Sequence, residues 1–306
     1  MELFQDLFSL LIFPGGLAVV VVGLVYSWIH RKALARLQNR VGPRWFQPLA
    51  DIVKLLAKEE VVPHGAPQPV FSMLPILAMA GALTAALYVP VMGVAAAHSF
   101  TGDLIVSIYM LSLLTLSMGL AGSITTSRFS LVGATRALTQ LFAYEAPFML
   151  ALFGPAVVAG SWQISEVAAY AGASPWFLLL QPIGFIVAMI GLMGKLELPP
   201  FDAPEAETEI VAGPLTEYSG RGLALFHLAR HVELIVGLSL IAAFYLGGIS
   251  SVGAFFLKTM SLLVVLVLLQ ALMTRLRIDQ TVGLWWRYGT LLVLLQWMVL
   301  IVVRTV

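Results

Sequence analysis

Eight apolar segments of bilayer-crossing length constrain this chain more than any other feature. A spanning helix needs roughly 20 largely apolar residues. Such runs lie at about 7–29, 68–95, 103–124, 138–160, 176–194, 229–250, 254–273 and 284–303. Charged residues make up 11% of the sequence and hydrophobic residues 60%, whereas charged residues form about a quarter of a soluble domain. A soluble globular fold is therefore excluded. The expected fold is all-α: eight transmembrane helices plus an interfacial amphipathic helix, in a single polytopic membrane domain over 1–306. Its cytoplasmic loops are expected at about 30–67, 125–137, 195–228 and 274–283. Pro14, Pro75, Pro147, Pro155 and Pro182 interrupt the runs, which membrane helices tolerate when neighbours satisfy the freed backbone groups.

The basic residues orient the spans. Arg31, Lys32, Arg36, Arg40, Arg44, Lys54 and Lys58 follow the first segment. Arg128 and Arg136 follow the third, Lys195, Arg221 and Arg230 the fifth, and Arg275, Arg277 and Arg287 the seventh. Fifteen of the 17 Lys and Arg thus share one side, with Lys258 and Arg304 opposite. The positive-inside rule makes that side cytoplasmic and places both termini outside. The expected location is the cell membrane of a prokaryote.

The first six residues lack the basic region of a signal peptide, so the first apolar segment is expected to be a retained helix. There is no cysteine; the chain cannot ligate an iron–sulfur cluster through thiolates and has no disulfide. Asn39 is the one asparagine, a composition that leans towards a thermophile.

Chemistry concentrates at the cytoplasmic surface. Lys195-Leu196-Glu197-Leu198-Pro199-Pro200-Phe201-Asp202-Ala203-Pro204-Glu205-Ala206-Glu207-Thr208-Glu209, continuing to Thr216-Glu217-Tyr218-Ser219-Gly220, holds six of the 16 acidic residues. Carboxylates beside a bilayer mark function by default. Asp202, Pro204 and Glu205 fit an N-cap, a first-turn proline and a capping-box glutamate, with Glu205 and Glu209 on one helical face. One cap needs one or two carboxylates, and this run also carries Glu197, Glu207 and Glu217. Like charges raise carboxyl pKa values, which suits proton or cation handling; an acidic loop docking a basic partner fits equally.

Glu145 falls about seven residues inside the fourth span, roughly 10 Å deep. At that depth it requires a partner, a proton or water, with Arg136 and Gln140 as candidate partners. From Leu49 onward, Ile52, Val53, Leu55 and Leu56 oppose Asp51, Lys54, Lys58 and Glu59, the pattern of an amphipathic helix in the interface. His227 and His231 have a spacing compatible with zinc, but with Glu233 alone nearby no ligand set is completed, and no metal site is expected. Trp45, Trp162, Trp176, Trp285 and Trp286 fit an aromatic belt. No phosphate loop, dinucleotide fingerprint or nucleophile motif occurs, so no catalytic residue and no nucleic-acid partner is expected in this chain.

Several of these segments together resemble one family. They are Arg36-Leu37-Gln38-Asn39-Arg40-Val41-Gly42-Pro43, Gln47-Pro48-Leu49-Ala50-Asp51 with Lys54-Leu55, and Gly133-Ala134-Thr135-Arg136-Ala137 ending in Tyr144-Glu145. The fourth is Pro200-Phe201-Asp202-Ala203-Pro204-Glu205-Ala206-Glu207 through Thr216-Glu217-Tyr218-Ser219-Gly220. In order and over most of the chain they are similar to the H subunit (subunit 1) of complex I and its relatives in membrane-bound [NiFe]-hydrogenases, formate hydrogenlyases and sulfane-sulfur reductases. The compact stretch from Arg36 to Gln47 and the opening Glu197-Leu198-Pro199-Pro200-Phe201 are closer to the hydrogenase and sulfur-reductase branch than to quinone-reducing members.

The resemblance implies an oxidoreductase-complex subunit that joins a peripheral electron-transfer arm to antiporter-like membrane subunits. A hydrogenase-like large subunit and a small iron–sulfur subunit would dock near Arg36, Arg40, Asp51, Lys54, Arg128 and Arg136 and on the acidic loop. Iron–sulfur clusters and any [NiFe] centre would lie in those partners, with no cofactor here. Glu145, Asp202, Glu205, Glu207, Glu209 and Glu217 would couple redox turnover to H⁺ or Na⁺ movement. The competing readings are a quinone-binding H subunit and, from another class, a stand-alone cation transporter.

Overall fold

The computed structural model describes residues 8, 9, 11–174 and 177–305, and every regular element among them is a helix. The elements are α1 (Gly16–Leu37), α2 (Gln47–Ala57), α3 (Gln68–Tyr88), α4 (Asp103–Ser123), α5 (Arg128–Ala159), α6 (Ile164–Ala173), α7 (Phe177–Leu180) and α8 (Pro182–Lys195). There follow a 3₁₀ turn (Ala203–Glu205), α9 (Glu207–Ile210), a second 3₁₀ turn (Gly213–Leu215), α10 (Gly220–Tyr245), α11 (Val252–Leu272) and α12 (Ile278–Leu284). A π-turn (Trp285–Gly289) leads into α13 (Thr290–Thr305).

Among the described residues, seven helices are long and apolar enough to cross a membrane: α1, α3, α4, α5, α10, α11 and the run from α12 into α13. The fifth expected segment, 176–194, is divided. α7 stops at Leu180, Gln181 leaves helical geometry at φ −132°, and α8 has 14 residues, or about 21 Å at 1.5 Å per residue. Pro182 lacks the N–H that would have continued the helix.

Three helices run deeper into the expected loops than their apolar runs suggest. α1 extends to Leu37, α5 begins at Arg128 rather than 138, and α10 begins at Gly220 rather than 229. The polar ends contain no proline, so the backbone keeps its hydrogen bonding past the apolar boundary. Glu145 therefore lies 17 residues along α5, about 25 Å from its start, and not one or two turns inside it. α1 begins only at Gly16, after Pro14.

α10 is the axis of the bundle; every residue from Val232 to Tyr245 is buried. α3, α1, α2 and α11 pack around it, while α5 holds α4, α8 and α13 on the other side. The tightest approaches run through glycine: a Cβ on Gly81 of α3 would sit 2.7 Å from the Met110 carbonyl of α4. α11 and α13 turn large apolar side chains outward, among them Leu257, Leu272, Leu291 and Met298. Of the tryptophans expected in an aromatic belt, Trp45, Trp162 and Trp286 are exposed, while Trp176 lies outside the described residues. Trp285 departs from it. It is buried, its ring 5.5 Å from that of Phe201 and 6.5 Å from that of Tyr144, because the π-turn carries it inward.

Candidate coupling site

The acidic loop does not form the capped helix its pattern suggests. Pro199, Pro200, Pro204 and Pro214 remove N–H donors and restrict the preceding residues, leaving only single turns between α8 and α10. Asp202 caps nothing; Arg275 donates to its Oδ2 at 2.6 Å. Tertiary charges win over the local capping preference.

The loop is stapled to the N-terminal half of α5. Gln140 Nε2 donates to the carbonyls of Gly194 (3.1 Å) and Phe201 (2.8 Å), and Ser130 Oγ donates to that of Pro214 (2.8 Å). Arg136 donates to the Ala203 carbonyl at 3.2 Å and to Glu209 at 2.7 Å. Gly133 allows the backbones to touch: a Cβ there would lie 2.6 Å from Gly213.

Beneath this seam lies a series of buried and half-buried charges. Arg230 of α10 grips Glu205 with both guanidinium nitrogens, at 2.9 Å each, and reaches Glu197 at 3.0 Å. Glu233, three residues on and on the same helical face, is fully buried, and neither carboxyl oxygen has a hydrogen-bond partner among the described residues. Then come Lys195, also fully buried, and Glu145, 3.2 Å apart. Ser112 bridges them, accepting from Lys195 at 3.1 Å and donating to Glu145. Lys195 also lies 5.6 Å from the ring centres of Tyr144 and Phe148, where cation–π attraction adds to the ion pair.

Environment divides the two loop carboxyls that share Arg230. Burial pushes Glu197 up to about 8, with Arg230 opposing and Glu205 reinforcing. Burial also acts upward on Glu205, but its bidentate bond to Arg230 outweighs this and holds it below the usual carboxylate range. Arg275 is raised, chiefly by its hydrogen bond to Asp202. One neutral carboxyl beside one ionised carboxyl on a common cation can exchange a proton when the loop moves.

The expected site residues divide accordingly. Glu145 and Glu205 enter this inner series, while Asp202 and Glu209 form an outer layer with Arg275 and Arg136. Glu207 is exposed at the start of α9, and Glu217 is half-buried near the start of α10. Arg136 and Gln140 do not partner Glu145; both turn to the acidic loop, and Lys195 and Ser112 take that role. Arg36, Arg40, Lys54 and Arg128 are exposed, and Asp51 pairs with Arg31 at 3.3 Å. His227 and His231 line a cleft of about 300 Å³ with His30, Arg31 and Arg230. No group of three or more His, Cys, Asp or Glu suited to a metal occurs among the described residues.

Lys195, Arg230 and Glu233 belong to no motif that sequence reasoning picks out as a relay. The signal is nevertheless present: each is a charged residue inside or at the edge of an apolar helix, the criterion that marks Glu145.

Comparison with known proteins agrees with this architecture. The profile of the NADH dehydrogenase family matches residues 10–302. The H subunit of the NADH-quinone oxidoreductase of Thermomicrobium roseum is 35% identical over 299 residues, covering 88% of each chain. That of Dehalococcoides mccartyi is 33% identical over 290 residues, 88% of this chain and 79% of the relative. Among solved structures, a chain of the membrane-bound sulfane sulfur reductase, an archaeal respiratory membrane complex, superposes with a TM-score of 0.85 at 22% identity. The superposition covers 97% of this chain and 99% of that one. From the profile and these relatives, this multi-pass membrane chain belongs to the NADH dehydrogenase H-subunit family, the membrane subunit of complex I-related complexes.

Proposed function

We propose that this chain is the coupling subunit of a respiratory complex, docking a peripheral electron-transfer arm on its acidic loop and first cytoplasmic segment. The observation that carries the reading is the charged series Glu205, Glu197, Arg230, Glu233, Lys195 and Glu145, in which Glu197, Glu233 and Lys195 are buried and which runs from a surface loop into the bundle. Redox turnover in the arm shifts the loop. The grip of Arg230 on its two carboxylates changes, and the change in protonation passes through Glu233 to the Lys195–Glu145 pair and on to antiporter-like neighbours that move H⁺ or Na⁺. Glu207, Glu209 and Glu217 form the arm-facing surface, with Arg36, Arg40, Lys54 and Arg128 beside them. In this reading α7 and α8 form one broken span, giving eight spans with both termini outside and the acidic loop in the cytoplasm.

The test uses the intact complex in sealed vesicles. Glu145→Gln is expected to lower ion uptake at least tenfold per electron transferred; unchanged uptake and turnover would refute the relay.

We assign the chain to the hydrogenase or sulfur-reductase branch, supported by its compact α1–α2 connection, only residues 38–46, and by the Glu197-Leu198-Pro199-Pro200-Phe201 opening. The names of the relatives at 33–35% identity favour a second reading, quinone reduction. Nickel content of the complex, purified through this chain, separates them: one nickel per copy fixes the hydrogenase. Without nickel, turnover blocked by a quinone-site inhibitor supports the second reading, and inhibitor-resistant sulfide production supports the sulfur reductase.

A further inference from the structure

A groove lies where the spanning helix α1 meets the amphipathic helix α2. It encloses about 270 Å³, and its walls are Val21, Leu24, Val25 and Trp28 of α1 with Trp45, Phe46, Pro48 and Leu49 at the start of α2. Residues 21, 24, 25 and 28 repeat at helical spacing, so the groove follows α1 for seven residues, about 10 Å. No charged side chain lines it.

The mouth of the groove is cationic. Gly42, at φ +74°, folds the chain back onto α1, where a Cβ would lie 3.0 Å from Lys32 Cδ. One residue on, the Pro43 carbonyl accepts from Trp28 Nε1 at 3.4 Å. Lys32 follows Trp28 by one turn on the same face of α1, and Arg44 directly precedes Trp45. Both cations thus adjoin groove-lining tryptophans, and neither is ion-paired among the described residues. Trp45 is 72% exposed, an amphipathic ring at the level where headgroups meet hydrocarbon.

We propose that this groove is a binding site for an anionic phospholipid, with one acyl chain along α1 between Trp28 and Trp45 and the phosphate between Lys32 and Arg44. Charge complementarity selects the headgroup, and the apolar length selects the chain. The site rests only on α1 and α2 lying in and on the membrane, and not on the coupling reading.

The experiment reconstitutes the intact complex in nanodiscs of equal phosphatidylglycerol and phosphatidylcholine. It images the groove by electron cryomicroscopy and measures lipid retained in detergent by native mass spectrometry. The expected result is a two-tailed lipid in the groove and preferential retention of phosphatidylglycerol. The double variant Lys32→Gln/Arg44→Gln should retain about thirtyfold less phosphatidylglycerol, the effect of two basic groups near an anionic surface. Phosphatidylcholine retention should not change. Equal retention of both lipids by the wild type would overturn the proposal. So would a partner protein or a quinone tail in the groove, which the wild-type map reveals even if the variant fails to assemble.

Discussion

Lys195 and Glu145 stand 3.2 Å apart although 50 residues separate them. The last residue of α8 thus neutralises the carboxylate halfway along α5, with its ammonium fully buried. Removing one member of such a pair strands the other charge, which typically costs 3–5 kcal/mol. Lys195→Met is therefore expected to lower the thermal stability of the assembled complex by about that amount. Adding Glu145→Gln should recover most of the loss, because it removes the stranded charge. A double variant no more stable than the single one would show that the pair is not energetically linked.

Arg230 serves Glu205 through two hydrogen bonds and Glu197 through a third. A lysine ammonium is a point charge and cannot reproduce that fork. Arg230→Lys should assemble but translocate several-fold fewer ions per electron, with electron transfer less affected. Ion uptake and turnover measured in the same vesicles check this; equal losses in both would place Arg230 in the electron-transfer step instead.

The pH dependence of Glu197 has a definite sign. Burial holds its carboxyl near 8 in the folded chain, above its ordinary value of 4.5. Between these values the folded state binds more proton than the unfolded state, so the contribution to stability falls as pH rises through that window. The slope reaches at most about 1.4 kcal/mol per pH unit. Glu197→Gln should flatten that part of the stability curve, measured by thermal unfolding between pH 5 and 8. An unchanged slope would assign the proton elsewhere.

Gly213 sits at φ +55°, and a Cβ there would meet the Pro204 carbonyl at 2.0 Å. Gly213→Ala should destabilise the acidic loop by more than about 1 kcal/mol and raise hydrogen exchange over residues 197–217, with α3 and α4 unaffected. Wild-type exchange would mean that the loop absorbs the methyl group.

Spans and the acidic loop are legible in the sequence because they depend on local composition: apolar runs specify helices, and the prolines around Asp202 mark a segment of special chemistry. What stays hidden depends on partners distant in sequence. Glu145 stands out, but Arg136, its nearest basic residue in sequence, turns to Ala203 and Glu209. The true partner arrives from another helix through the packing of α5 on α8. Asp202 and Glu205 read as a cap because the capping pattern is local, whereas Arg275 and Arg230 reach them only after the bundle forms. Trp285 reads as an interfacial residue, and only the π-turn rotates it towards Phe201. The split at Gln181 is flagged by Pro182 alone, and hydropathy averages across it.

The series from Glu205 to Glu145 contains four acids, Glu205, Glu197, Glu233 and Glu145, and two bases, Arg230 and Lys195. Uncompensated charge is costly at low dielectric, and two cations cannot balance four anions. Under the coupling proposed above, a displacement of the loop need not bring charge in from outside: changing which carboxyls face Arg230 and Lys195 would redistribute the charge already held in the protein.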